Sequence, residues 1–330
     1  MRRITDIKYS QYYGGEEIHL KDYINMEHVG KILDEISRQV ITPIETGIKF
    51  FDSTIGGYYP GEVTTICGED CCCKTAFVIS QVCHIAIDQK IPTLVLLDYI
   101  SERNFISSMI AYYCNIDPNN MHDILVSKQY KELVEEFLSK LKDSPLYIMR
   151  ASWYEDKKTL DGIGEFIDMK KIRIVFVDEV YLDLSRDVTT EFCSIGSIAI
   201  KKNIPVMVTC YIWNDREGIE GIRPWLIDIS RRTYLHGLDV VIGFTNYEQN
   251  RIFMDDRGFD LHDMIGVEIL KYRGKIENKS HYIPRDYLYY RDYEKRKKQL
   301  LENIKGSGGE IVGSLIEKLK LTVEEDSVSL

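Results

Sequence analysis

The chain has 330 residues, 44% hydrophobic and 28% charged, which suits a soluble globular protein and excludes disorder, collagen-like repeats and a disulfide scaffold. Lys and Arg total 42 against 52 Asp and Glu, a net charge of −10. No overall field therefore draws the chain to nucleic acid, and DNA contact would need local basic loops. No apolar run reaches the roughly 18 residues that span a bilayer, and the start, Met1-Arg2-Arg3-Ile4-Thr5-Asp6, has no apolar signal core behind it. The eight cysteines are expected as reduced thiols, and the protein as cytoplasmic with no membrane partner.

In chain order, residues 1–21 are polar and rich in Tyr and Gly, an expected arm. Ile24, Val29, Ile32, Leu33, Ile36 and Val40 recur at helical spacing and predict an amphipathic helix over 22–40. Residues 42–60, with Gly47, Gly56, Gly57 and Pro60, are expected as a connector. Strands and helices then alternate. Apolar runs predict strands over 63–67, 93–98, 146–149, 172–178, 205–210 and 238–244, with an alternating, half-exposed strand at 266–272. Helical spacing falls between them at 75–89, 102–114, 130–141, 160–169 and 191–202. Solid apolar strands separated by helices predict an α/β fold, a mostly parallel sheet with helices on both faces. Gly306-Ser307-Gly308-Gly309 marks a hinge in a helical, then acidic, end. Three segments follow: an arm and helix at 1–41, the α/β domain at 42–292, and a tail at 293–330.

The stretch Gly68-Glu69-Asp70-Cys71-Cys72-Cys73-Lys74-Thr75 follows a predicted strand and opens a predicted helix. That is the context of a phosphate loop, whose pattern is Gly, four residues, Gly, Lys, then Ser or Thr. Backbone N–H groups and the helix N-terminus would cradle phosphates, Lys74 would reach the outer ones, and the Thr75 hydroxyl would hold Mg²⁺. Cys73 stands where the pattern has its second glycine. If that position requires positive φ, a cysteine costs roughly 1–2 kcal/mol. Glu69 and Asp70 add two negative charges beside an expected triphosphate. Each repels by roughly 1–4 kcal/mol at about 4 Å, depending on the local dielectric. Cys67, Cys71, Cys72 and Cys73 do not match the paired spacing of structural zinc sites. Thiols at a helix start beside a lysine are expected to have lowered pKa values and redox sensitivity.

From about Ile41 to Asp292 the chain resembles the motor domain of DnaB-type replicative helicases, a branch of the RecA-like P-loop ATPases. Thr42-Pro43-Ile44-Glu45-Thr46-Gly47-Ile48-Lys49-Phe50-Phe51-Asp52 resembles that family's entry segment, and Gly56-Gly57 with Pro60-Gly61-Glu62 leads into the first core strand. The helix at 22–40 takes the place of the linker helix that packs on a neighbouring subunit of a ring. Ile174-Val175-Phe176-Val177-Asp178 resembles the Walker B strand, with Asp178 near Mg²⁺; a turn-capping Asp at a strand end is the plainer alternative. Arg223-Pro224 and Asp228 resemble a further family segment.

The departures concern catalysis. The family's general-base glutamate falls on Tyr99, which cannot be a base at neutral pH; Asp98 and Glu179 are the stand-ins. The glutamine sensor falls near Tyr211. The loop at 213–222, where the family contacts DNA, holds Asp215, Glu217 and Glu220 against Arg216, which disfavours a DNA grip. Lys271-Tyr272-Arg273 resembles the pair that reaches a neighbour's γ-phosphate, since residues two apart on a strand share a face; an exposed basic strand with Lys275 and Lys279 is the alternative. Lys295-Arg296-Lys297-Lys298 reads as a solvated helix face.

The resemblance implies a homo-oligomeric ring that binds ATP and Mg²⁺, contacts DNA through channel loops, and serves DNA replication or mobile-element maintenance with proteins of those processes. The lost residues imply impaired hydrolysis. Two alternatives stand: a silent RecA-fold scaffold acting through protein partners, and a small ATPase nearer the RadA or KaiC branches.

Overall fold

The structure, a computed structural model, describes residues 42–117, 130–150, 157–182, 189–212, 223–230 and 237–292. By contacts the chain divides into residues 1–42 and 43–330, and the described residues fall in the second unit apart from Thr42. The expected helix at 22–40, the acidic loop at 213–222, the basic run at 295–298 and the tail from 293 lie outside the described residues.

Eight strands form one sheet: β1 Val63–Gly68, β2 Thr93–Leu97, β3 Leu146–Arg150, β4 Ile174–Leu182, β5 Val206–Ile212, β6 Val240–Asn246, β7 Met264–Tyr272 and β8 Lys275–Pro284. Their order is β3-β2-β4-β5-β1-β6-β7-β8. β1 to β6 run parallel, and β7 and β8 are antiparallel additions at one edge. Among the described residues the α-helices are α1 Lys49–Ile55, α2 Lys74–Val82 continuing as a π-helical turn over Cys83–Asp88, α3 Glu102–Cys114, α4 Lys131–Lys142, α5 Lys157–Lys170, α6 Thr189–Lys202, α7 Leu226–Ser230 and α8 Asp286–Tyr289.

Alternate residues of each central strand serve opposite cores, which is why the sequence reads as unbroken apolar runs. Val95, Leu97, Ile174 and Phe176 pack with Phe77 of α2, Phe105 of α3 and Phe137 of α4. Leu94, Leu96, Val175 and Val177 pack with Ile163 and Ile167 of α5 and Phe192 and Ile195 of α6. Each fully buried large side chain contributes about 1.5–3 kcal/mol. Edge-on ring contacts of Phe77 with Phe51 at 5.2 Å and with Phe244 at 5.4 Å seat α2 between α1 and β6.

The expected connector contains α1. Asp52, inside that helix, accepts from the Thr46 N–H at 2.7 Å, the Thr46 hydroxyl at 2.8 Å and the Gly47 N–H at 3.0 Å. The Thr-Gly to Asp spacing of the entry segment is therefore a self-closing turn that starts a short helix. Two further differences concern strand ends. β4 continues four residues past Asp178, so Asp178 is inside a strand, and pairing with β5 shifts register between Val177 and Val180. β7 ends at Tyr272, so Arg273 is not on the strand with Lys271: it has φ +43°, Gly274 follows at +83°, and β8 begins at Lys275. This is a two-residue hairpin turn of the kind that requires positive φ at both central positions.

Candidate functional site

The carboxyl ends of β1, β2, β5 and β6 and the register shift within β4 gather Gly68, Asp98, Tyr211, Asn246 and Asp178 at one edge of the sheet. Ligands of open α/β sheets bind at this edge. Gly68 is needed for packing: a Cβ there would stand 2.5 Å from the Cys72 Sγ and from the Phe244 carbonyl. The loop then turns through two left-handed residues, Cys71 at φ +57° and Cys73 at φ +69°. Cys73 is the residue before α2. The sequence condition for strain is thus met, and holding a cysteine there costs about 1–2 kcal/mol. Asn246 steadies the turn by donating from Nδ2 to the Cys71 carbonyl at 2.9 Å, and the Cys73 thiol lies 3.5 Å from the Tyr289 hydroxyl of α8.

Lys74 is buried, 6% exposed, and folded back into the loop. Its Nζ donates to the Gly68 carbonyl at 3.0 Å and the Glu69 carbonyl at 2.7 Å, and stands 3.3 Å from Glu179 Oε1. The ammonium also lies 5.7 Å from the centre of the Tyr211 ring, a cation–π distance. Tyr211 therefore faces the lysine as an aromatic surface. Burial works against the Lys74 charge, but Cys72 and Glu179 outweigh it and its pKa is raised. Burial also pushes Cys72 up to about 12, despite Lys74. The carboxylate beside the Lys74 ammonium is that of Glu179. Cys73 is likewise raised, by burial first. For Cys72 and Cys73 the expected lowering is overturned: desolvation of these two buried sulfurs exceeds the pull of lysine and helix. Glu69 is raised too, by burial first.

Thr75 and Asp178 meet at this edge. The Thr75 hydroxyl donates to Asp178 Oδ1 at 3.3 Å, and the Thr209 hydroxyl donates to the same oxygen at 2.8 Å. Asp178 is 1% exposed, and burial pushes its carboxyl up to about 6 against the two hydroxyl bonds. Hydroxyl and carboxylate oxygens side by side are hard donors suited to Mg²⁺, which takes one or two carboxylates and draws the rest from phosphates and water. Among the described residues no cluster of three His, Cys, Asp or Glu could hold a metal alone.

Of the stand-in bases, Glu179 is at the loop. Asp98 lies just beyond β2 and its backbone N–H donates to the Asp178 carbonyl at 3.0 Å, while Tyr99 is 59% exposed. Beside Thr75 a cavity of about 200 Å³ is lined by Thr75, Ala76, Ile79, Ser108, Tyr112, Leu288 and Tyr289. Its α8 wall was missed by sequence reasoning, because four residues carry no helical period.

Lys271 and Arg273 are at the opposite edge. The Lys271 Nζ donates to the Leu238 carbonyl, and burial lowers its pKa. Arg273 forks onto Glu62, Nε to Oε1 at 2.8 Å and Nη2 to Oε2 at 3.1 Å.

The family model for the DnaB-like helicase C terminal domain matches residues 43–233. The replicative DNA helicase DnaB of Treponema pallidum (strain Nichols) is 25% identical over 186 residues, 53% of this chain and 42% of that protein. The DNA repair and recombination protein RadB of Thermoplasma acidophilum is 28% identical over 193 residues, 56% of this chain and 73% of that protein. The chain thus spans under half the length of the DnaB relative. Two solved structures share the fold at TM-score 0.63 and 15% identity. One is a DnaB-like replicative helicase studied for its interactions with primase (78% of this chain, 65% of that one), the other a separate ATPase domain (81% and 97%).

Proposed function

The chain belongs to the family of DnaB-like helicase C terminal domains, and from that premise we propose that it binds ATP with Mg²⁺ at the loop Gly68–Thr75, assembles with further copies of itself, and serves DNA replication or mobile-element maintenance with weakened hydrolysis. The observation that carries this reading is the contact of Thr75 with Asp178 beside a buried Lys74, the oxygen pair and cation that an Mg²⁺-nucleotide requires. The cavity beside Thr75, walled by hydroxyl and apolar side chains, suits a nucleobase.

Bound ATP with Mg²⁺ supplies the phosphoryl group and the metal that neutralises its oxygens. Lys74 leaves the Gly68 and Glu69 carbonyls for the outer phosphates. That movement also releases Glu179 from its 3.3 Å ion pair, so one rotation supplies both a phosphate ligand and a free carboxylate. Glu179 is the base in this reading, and it orients water. Lys271 and Arg273 serve another copy's nucleotide, and DNA contact falls to channel loops. Hydrolysis is slow because Tyr99 and Tyr211 replace a carboxylate and an amide, and because Cys73 retains its side chain in a left-handed turn.

A scaffold that binds protein partners without nucleotide is the second reading; the saturation of Lys74 by loop carbonyls and Glu179 favours it. Similarity to RadB favours a small recombination-type ATPase as the third. The double variant Cys73→Gly with Tyr99→Glu discriminates. Our reading expects a rise in ATP turnover; a variant that binds ATP and stays inert would contradict this account of the defect.

A further inference from the structure

The Arg273 guanidinium is unusually well occupied within its own chain. Besides its fork onto Glu62, Nη2 reaches the Ile55 carbonyl at 3.4 Å and Nη1 donates to the Tyr272 hydroxyl. Four of its five N–H groups are thus engaged. The Tyr59 ring lies 3.9 Å below it and the Tyr272 ring 4.7 Å away. The backbone is fixed as well: the Arg273 N–H donates to the Asp239 carbonyl at 2.7 Å, and Asp239 Oδ2 accepts from Val63 at 2.8 Å.

These contacts divide into two kinds. The rings and the backbone bond position the cation without neutralising it. The Glu62 carboxylate neutralises it, and its two oxygens fill the planar fork that suits a phosphate equally well. Both partners are partly open to solvent, Arg273 at 29% and Glu62 at 23%, so an incoming anion can reach the pair. Glu62 precedes β1 and Lys74 binds the carbonyl that ends it. The six residues between span about 20 Å at 3.3 Å each. Arg273 therefore cannot reach a nucleotide held by its own Lys74.

We propose that Glu62 is a lock on Arg273, a positioning residue whose carboxylate occupies the fork until a phosphate on another copy's nucleotide displaces it. The lock rests on the reading above that copies assemble around nucleotide. Exchange of Glu62 for phosphate leaves the guanidinium on its two rings, already aimed, and makes assembly conditional on a loaded neighbour.

The test is sedimentation of the full chain with and without Mg²⁺-ATP, over a series of protein concentrations. Glu62→Gln removes the charge of the lock and should lower the concentration for half-assembly about threefold, the size expected of a half-exposed ion pair. Glu62→Asp keeps the charge at shorter reach and should fall between; it also serves if the Gln variant folds poorly. Arg273→Ala, alone or with Glu62→Gln, should not assemble with nucleotide. If Glu62→Gln matches the wild type while Arg273→Ala fails, the lock is wrong and the assembly reading stands. The same holds if Glu62→Gln assembles worse than the wild type, since the pair would then support the interface. If neither the wild type nor Glu62→Gln assembles while Lys74-dependent ATP binding persists, the assembly reading is wrong and the lock falls with it.

Discussion

Cys73 offers the sharpest perturbation. It sits at φ +69°, 7% exposed, with its sulfur 3.5 Å from the Tyr289 hydroxyl. Cys73→Ala removes the sulfur and keeps the left-handed strain. Cys73→Gly removes both, at the cost of a freer unfolded chain. The strain relieved is about 1–2 kcal/mol, and the added unfolded-state entropy costs about 0.5–1 kcal/mol. The Gly variant should therefore be more stable than the Ala variant by about 0.5–1 kcal/mol, a difference of roughly 1–4 °C in melting temperature for a domain of this size. Against the wild type, Gly should be near neutral, because the lost sulfur contact offsets the relief. Parallel thermal melts of the three proteins measure this. An Ala variant as stable as Gly, or more so, would refute the claim that this loop position is strained.

Asp178→Asn probes the buried carboxylate. Its folded pKa, about 6, lies above the ordinary carboxylate value, so the folded state holds the proton more tightly, and wild-type stability should fall as pH rises from about 4 to about 6 and level off above. That difference corresponds to about 3 kcal/mol. The Asn variant should lose this pH dependence in denaturant titrations, and it should lose Mg²⁺-dependent nucleotide binding; an unchanged pH profile would contradict the assignment. Glu179→Gln removes the anion beside Lys74. It should leave ATP binding intact or tighter while lowering any single-turnover hydrolysis by about 10²–10⁴-fold; hydrolysis at the wild-type rate would pass the role of base to another residue such as Asp98.

The parallel sheet was legible because each central strand is buried on both faces, and strands such as Thr93–Leu97 show that as an apolar run. Helix α3 was legible to both ends, with Ser101 accepting from the Asn104 N–H at 3.2 Å and Asn115 closing it in a left-handed conformation. Strand β8 was not, because Lys275–Pro284 is polar and takes its place by pairing with β7. Lys74 and Thr75 were singled out by the phosphate-loop spacing and Asp178 by the resemblance of its strand to Walker B, and the Thr75 hydroxyl does meet Asp178. Glu62 was not: its partner is 211 residues away, and no local pattern announces a bond at that range. Cys72 and Cys73 failed for a different reason, since spacing gives their neighbours but not their burial.

The central claim is that the loop still takes nucleotide despite its cysteines. Calorimetric titration of the wild type with Mg²⁺-ATP, beside Lys74→Ala, tests it most directly. Saturable binding that Lys74→Ala abolishes is the predicted result. No heat of binding in the wild type up to millimolar ATP would contradict it and leave a RecA-fold scaffold.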